Sequence, residues 1–411
     1  MLTQRHWIPP GALLFAQLSH GVSWVLLVAI GLGGGYVAVS GLALAWIHVV
    51  ALGWATMAAL GILLHVVPAF TDVIWRRESF ARLSLVFFAV GVVWFTLSLS
   101  LERPSFPAAI LLGAAVAVYL TTAFVSLSAA VAGEQRERTT ARALAVTLAF
   151  LGIAVLLGVW LAAAFSGLAI NVPAGLPAAH GHVAIFGWLS LLVLGVSSRT
   201  VKPITGNASR FSAIHILVGP LMLFAVPVLA IGLAANIAVF RALGAALLAF
   251  ALLLYAFDMF DILRRAQVQH RPPQAFMAAS VTWLVVSLAL GGGIIASNQW
   301  QAAYVFVLLV GWIGQMLNAH FYHIGIRLLS TIYRGESDET PPGELLDSRL
   351  SWLSFGLFQL AILSGVVGLL TGTMPLVSIA GILGFLSWTT MLANIATARN
   401  QARNHIPISP F

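Results

Sequence analysis

About twelve continuous apolar runs, each of roughly twenty residues, set the terms for anything this chain can fold into, because an α-helix needs about that length to cross the hydrocarbon of a bilayer. The runs do not alternate in polarity, which excludes barrel strands and selects helices. They are placed at 10–32, 42–67, 81–101, 106–131, 143–166, 178–199, 212–235, 240–262, 276–296, 302–327, 351–371 and 375–397. Only 8% of the residues are charged, against about 25% in an ordinary soluble domain, so the surface of this fold must face lipid. The expected fold is an all-α integral membrane protein of about 12 transmembrane helices, one transmembrane domain over 1–411.

Charge placement orients the bundle. Of the 20 Lys and Arg residues, 18 fall on one side when the spans are threaded alternately, and only Arg103 and Arg241 fall on the other. By the positive-inside bias the rich side is cytoplasmic, which places both termini in the cytoplasm and the chain in a bacterial inner membrane. The net charge of +8 is therefore a topology signal and not a nucleic-acid footprint. The first span lacks a small-residue cleavage site after it and reads as retained. Gly335–Ser348 is the longest hydrophilic stretch and reads as a loop. Asp258 and Asp261 read as a solvated helix end.

An internal repeat runs through the spans. Span 2 contains HVVALGWATMAALG from His48 to Gly61, and span 6 contains HVAIFGWLSLLVLG from His182 to Gly195. Span 10 carries the Gly-Trp pair again at Gly311–Trp312. Spans four apart run in the same direction, so the chain reads as three four-helix units in a pseudo-threefold arrangement, approximately 1–131, 132–262 and 263–411.

There is no cysteine, which removes disulfides, iron–sulfur clusters and covalent haem attachment, and leaves histidine as the available transition-metal ligand. Of 11 histidines, eight sit in or at the edge of a span: His20, His48, His65, His180, His182, His215, His320 and His323. Intramembrane ionisable residues are costly and mark functional sites by default. Aligned on Gly-Trp, His48 and His182 share an outer level, where span 10 has Phe306. His65 and His323 share an inner level, where span 6 has Arg199. His48 and His65 are 17 residues apart, about 25 Å along a helix, and cannot share one ion. Two sites are expected: an outer one from spans 2 and 6 and an inner one from spans 2 and 10. His180 and His182 face roughly 200° apart on a regular helix but could converge at a helix start. His320 and His323 share a face, and His215 lies on the inner side. For His20 and His215 the simpler reading is a hydrogen bond to a neighbouring helix. For His65 and His323 it is a solvated interface position. Arg76, Arg77, Arg199, Lys202 and Arg327 gather cations at the inner level, suited to haem propionates.

Twelve spans with histidines on spans 2 and 6 resemble the catalytic subunit of haem-copper oxidases. The stretches His48–Phe70 and His182–Thr205 resemble most its smaller relatives, the cbb-type subunit-I-like and NnrS-type membrane proteins linked to nitric oxide stress. The resemblance implies His48 as a low-spin haem ligand and His180 or His182 as a copper ligand. Span 10 departs from the pattern with Phe306 at the outer level, the paired span-7 copper ligands are missing, and no Glu lies inside a span. The implied function is a redox protein with one or two b-type haems and copper as a second candidate metal. It would work in electron transfer or O2/NO chemistry, with a separate cytochrome c or quinol as donor and with other respiratory subunits as partners. An NnrS-like role without oxidase turnover, metal or haem transport, and a purely structural subunit are the competing readings.

Overall fold

The computed structural model describes residues 10–33, 40–130, 135–168, 171–267, 271–294, 300–335, 340 and 342–404. Among them every regular element is helical, and twelve helices are long and apolar enough to cross a membrane. They are α1 (Pro10–Leu32), α2 (Gly41–Thr71), α3 (Glu78–Ser100), α4 (Phe106–Ala130), α5 (Gln135–Phe165), α6 (Leu176–Thr205), α7 (Ser212–Ala234), α8 (Ala238–Arg264), α9 (Arg271–Ile294), α10 (Gln301–Arg334), α11 (Ser348–Thr371) and α12 (Met374–Asn404). The chain is a multi-span membrane protein.

The polarity of α3 shows why. Its outward face carries Leu83, Val86, Val90, Val93 and Leu97, each about half exposed, while Ala81, Ser84, Phe88 and Gly91 turn inward. The exposed face is at least as apolar as the buried one, which suits hydrocarbon and not water. Several helices outrun the apolar stretches that announce them. α6 continues through Arg199 and Lys202 to Thr205, and α10 continues to Arg334. Hydropathy ends where lipid ends, but the backbone hydrogen-bond ladder continues while long cationic side chains reach water.

The chain divides into two compact units. The first comprises Met1–His20, Val37–Arg199 and Arg210–Asp258; the second comprises Gly21–Tyr36, Thr200–Ser209 and Met259–Phe411. In the first, α3 packs on α4, α4 on α5, and α6 on both α5 and α7. In the second, α9 packs on α10, and α11 and α12 form a long hairpin turned at Gly372, whose φ of 70° is left-handed.

The sequence repeat has a counterpart in the backbone. Eight-residue π-helical segments interrupt α2 at Val49–Thr56, α6 at Val183–Ser190 and α10 at Val307–Gly314. Each begins immediately after the aligned position, which is His48, His182 or Phe306. Each encloses the Gly-Trp pair. The glycine has the same use in all three. A Cβ at Gly53 would lie 2.7 Å from Ser19 Oγ of α1, one at Gly187 2.5 Å from the Phe150 ring of α5, and one at Gly311 2.9 Å from Trp283 Cβ of α9. In every case the side chain filling the notch comes from the preceding helix. Trp54, Trp188 and Trp312 are all buried to within 2%. Asp258 and Asp261, expected as a solvated end, are buried, and Asp261 accepts from Arg265 Nε at 2.9 Å. An ion pair at a helix end offsets the cost of that burial.

Candidate functional site

One end of the first unit brings two imidazoles together. His48 is the last residue of the first α-helical stretch of α2, just before the π-segment. Its Nδ1 lies 2.7 Å from Leu44 O. A carbonyl only accepts, so Nδ1 carries the proton and Nε2 keeps the in-plane lone pair. The ring meets Phe95 of α3 edge-on at 5.1 Å. Its partner is His180 of α6: the ring centroids are 6.5 Å apart and the planes only 19° from parallel.

His180 is held by a different helix. Its Nδ1 is 3.0 Å from Ala154 O of α5, so this ring too is a donor at Nδ1, with Nε2 as its lone-pair nitrogen. One turn further along α5, Gly158 makes room. A Cβ there would sit 3.1 Å from His180 Cε1. Both rings are partly buried. Fixing Nδ1 on a carbonyl sets the tautomer and orientation of an imidazole that ligates through Nε2.

His182, the residue aligned with His48 in the repeat, has Nδ1 at 2.8 Å from Ala178 O and its ring 5.7 Å from Phe186, all within α6. The ring that faces His48 is thus the one two residues earlier. His20 stacks on Trp54 with centroids 3.6 Å apart and planes 5° from parallel, a packed arrangement inside the first unit. His320, in the second unit, is bonded at both nitrogens, with Nδ1 at 2.8 Å from Met316 O and Nε2 at 2.9 Å from Thr200 Oγ1. That use of both nitrogens is a structural histidine's. His65 belongs to the first unit and His323, within a short π-segment, to the second. The side chain of His215 lies outside the described residues.

The cations of the inner level are separate from the His48–His180 pair. Arg199 is 19 residues along α6 from His180, about 28 Å by helical rise. It donates to Thr140 Oγ1 at 2.6 Å and lies over the Phe70 ring at 5.9 Å. Arg76 and Arg77 are exposed, Arg77 with a left-handed φ of 57° at the entry to α3. Arg327 donates to Thr340 O at 3.3 Å in the second unit.

Among the described residues, no group of three or more His, Cys, Asp or Glu could hold a metal ion. A bare zinc or copper site takes three or four protein ligands. A haem would need only one or two ligands from the protein. His48 and His180, each with an unprotonated Nε2, have the donor chemistry such a group would use. Comparison with known protein families and with characterised proteins finds no match for this chain.

Proposed function

We propose that this membrane protein holds a b-type haem between His48 and His180 and works in electron transfer. The observation that carries the reading is the pair of near-parallel imidazoles 6.5 Å apart, each with Nδ1 anchored on a backbone carbonyl. When bound, such a group supplies one-electron redox chemistry. The protein's contribution is orientation. Leu44 and Ala154 fix the two tautomers, Gly158 admits the His180 ring, and Phe95 backs His48 with an apolar edge.

If both His48 and His180 held the group, it would supply electron transfer and not O2 or NO turnover. This reading departs from the haem-copper oxidase pattern, in which the corresponding residues of helices 2 and 6 serve different metals. It assigns His48 and His180 to one site and leaves His182 outside it. Copper, an inner haem and a bacterial inner-membrane location remain parts of the wider resemblance; the proposal rests on the outer pair alone.

The test is the reduced-minus-oxidised spectrum of detergent-purified protein. A b-type α-band is expected in the wild type and in His182→Ala, and is expected to disappear in His48→Ala and His180→Ala. Wild-type protein recovered in full without that band overturns the reading, as does a band that survives both substitutions.

A further inference from the structure

The second unit contains a run of polar side chains in the region where a membrane protein is otherwise apolar. On α10, Gln315, Asn318 and Tyr322 fall at i, i+3 and i+7, one face of the helix, and none is more than 2% exposed. α11 adds Ser351, Ser354 and Gln359; α12 adds Ser387 and Asn394. The links are explicit. Asn394 Nδ2 donates to Ser351 Oγ at 2.7 Å and to Asp347 O at 3.0 Å, and Asp347 N donates to Asn394 Oδ1 at 2.8 Å. The hydroxyls of Ser354 and Ser387 are 3.2 Å apart. Gln359 Nε2 donates to Gln315 Oε1 at 2.6 Å, and Gln359 Oε1 accepts from Trp283 Nε1 at 3.2 Å.

Interhelical glue accounts for the satisfied pairs. It leaves two groups unexplained. Asn318 Oδ1 is buried with no hydrogen-bond partner among the described residues. The Tyr322 hydroxyl lies beside Ser354 and Asn394 without reaching hydrogen-bond geometry. Buried oxygens do not stay unpaired without cost, and the smallest partner that satisfies them is water.

A cavity lies near one end of the run. At the Arg334 end of α10, a polar cavity of about 510 Å³ is lined by Arg334, Thr340, Glu344, Thr397 and Gln401, among others. Along α12, Asn394, Thr397 and Gln401 follow the i, i+3, i+7 spacing, so the stripe and the cavity share one side of that helix. From Asp347 to Gln359 the stripe climbs 12 residues of α11, about 18 Å, or roughly half a bilayer.

We infer that α10, α11 and α12 enclose a hydrated half-path, which brings water from the arginine-rich face to Asn318 near the middle of the membrane. Its ligand is water. The hydroxyls of Ser351, Ser354 and Ser387, which donate to backbone carbonyls, keep oxygen lone pairs along it. Above it the Gln315–Gln359 pair and the Trp283 ring end the path, with no titratable group. The inference does not depend on the haem reading, since none of these residues belongs to the His48–His180 site.

The chain has no cysteine, so single Ser→Cys substitutions report water access directly. Thiols react with methanethiosulfonate reagents as thiolates, which form only where water reaches them. In native membranes, Ser354→Cys and Ser387→Cys are expected to react with a small cationic methanethiosulfonate about tenfold or more faster than Ser287→Cys, a fully buried control on α9. Radiolytic hydroxyl-radical footprinting of the wild type needs no variant. Tyr322 is expected to oxidise faster than Tyr119, which is equally buried but donates to Leu60 O at 2.7 Å. The inference is overturned if the thiols at 354 and 387 in assembled protein are as slow as that at 287. It is also overturned if Tyr322 is as inert as Tyr119.

Discussion

Helices α2 and α10 share a backbone device and differ in what stands at its threshold. Both carry an eight-residue π-segment, both enclose Gly-Trp, and in both the glycine receives a side chain from the preceding helix. The position just before the segment is His48 in α2 and Phe306 in α10. The His48 ring lies 6.5 Å from another imidazole. Phe306 is 1% exposed and reaches α11, where its ring fills the space a Cβ on Gly365 would need. So the repeated unit is a packing element, retained where there is no histidine. α6 supports the same separation: its repeated histidine is His182, yet the ring facing His48 is His180.

Substitutions that exchange the two kinds of residue sharpen this comparison. His48→Phe, which gives α2 the α10 residue, is expected to remove the haem signal from purified protein by more than about tenfold while far-UV circular dichroism is preserved, since a ligand is lost and a helix is not. Unchanged haem content would mean that threshold residues of the two helices are equivalent. Filling the notches is expected to act on all repeats alike. Gly53→Leu, Gly187→Leu and Gly311→Leu should each lower stability by about 1–3 kcal/mol or more, read as a lower thermal midpoint in detergent. A neutral Gly311→Leu beside two damaging partners would break the equivalence.

Gly158→Val should weaken haem retention about tenfold, or about 1.4 kcal/mol, by pressing on the His180 ring. Titrating haem into the apoprotein measures it. The smallest effect is expected from Trp188→Phe. It removes the 3.0 Å bond to Thr56 Oγ1 between two π-segments and should cost about 0.6 kcal/mol in thermal stability, leaving haem content unchanged.

Much of the fold was legible because hydropathy and helix length report the same constraint, that backbone groups in lipid must bond within their own segment. All twelve spans correspond to helices, most with ends within a few residues. Where they differ, as at α6 and α10, the helix outlasts the apolar run. The π-segments were not legible: VVALGWAT has no residue that forbids an α-helix, and the widened turn depends on what packs into the glycine notch. The repeat singles out His48 and His182, with His180 an alternative on the same helix, and the sequence does not say which of the two rings lies near His48. What selects His180 is Ala154 and Gly158 on α5, a tertiary contact that no pattern within α6 contains. Of the thirteen tryptophans, Trp24, Trp46, Trp54, Trp188 and Trp312 are fully buried.

In the proposed haem site, His48 and His180, with nearly parallel planes, would share one iron. Electron paramagnetic resonance of the oxidised, purified protein addresses it in a single spectrum, because the angle between axial imidazole planes governs the shape of the low-spin ferric signal. The 19° angle between His48 and His180 predicts a rhombic low-spin ferric haem signal that is absent from His180→Ala. A high-spin signal, a highly anisotropic signal of perpendicular planes, or no ferric haem signal at all would contradict it.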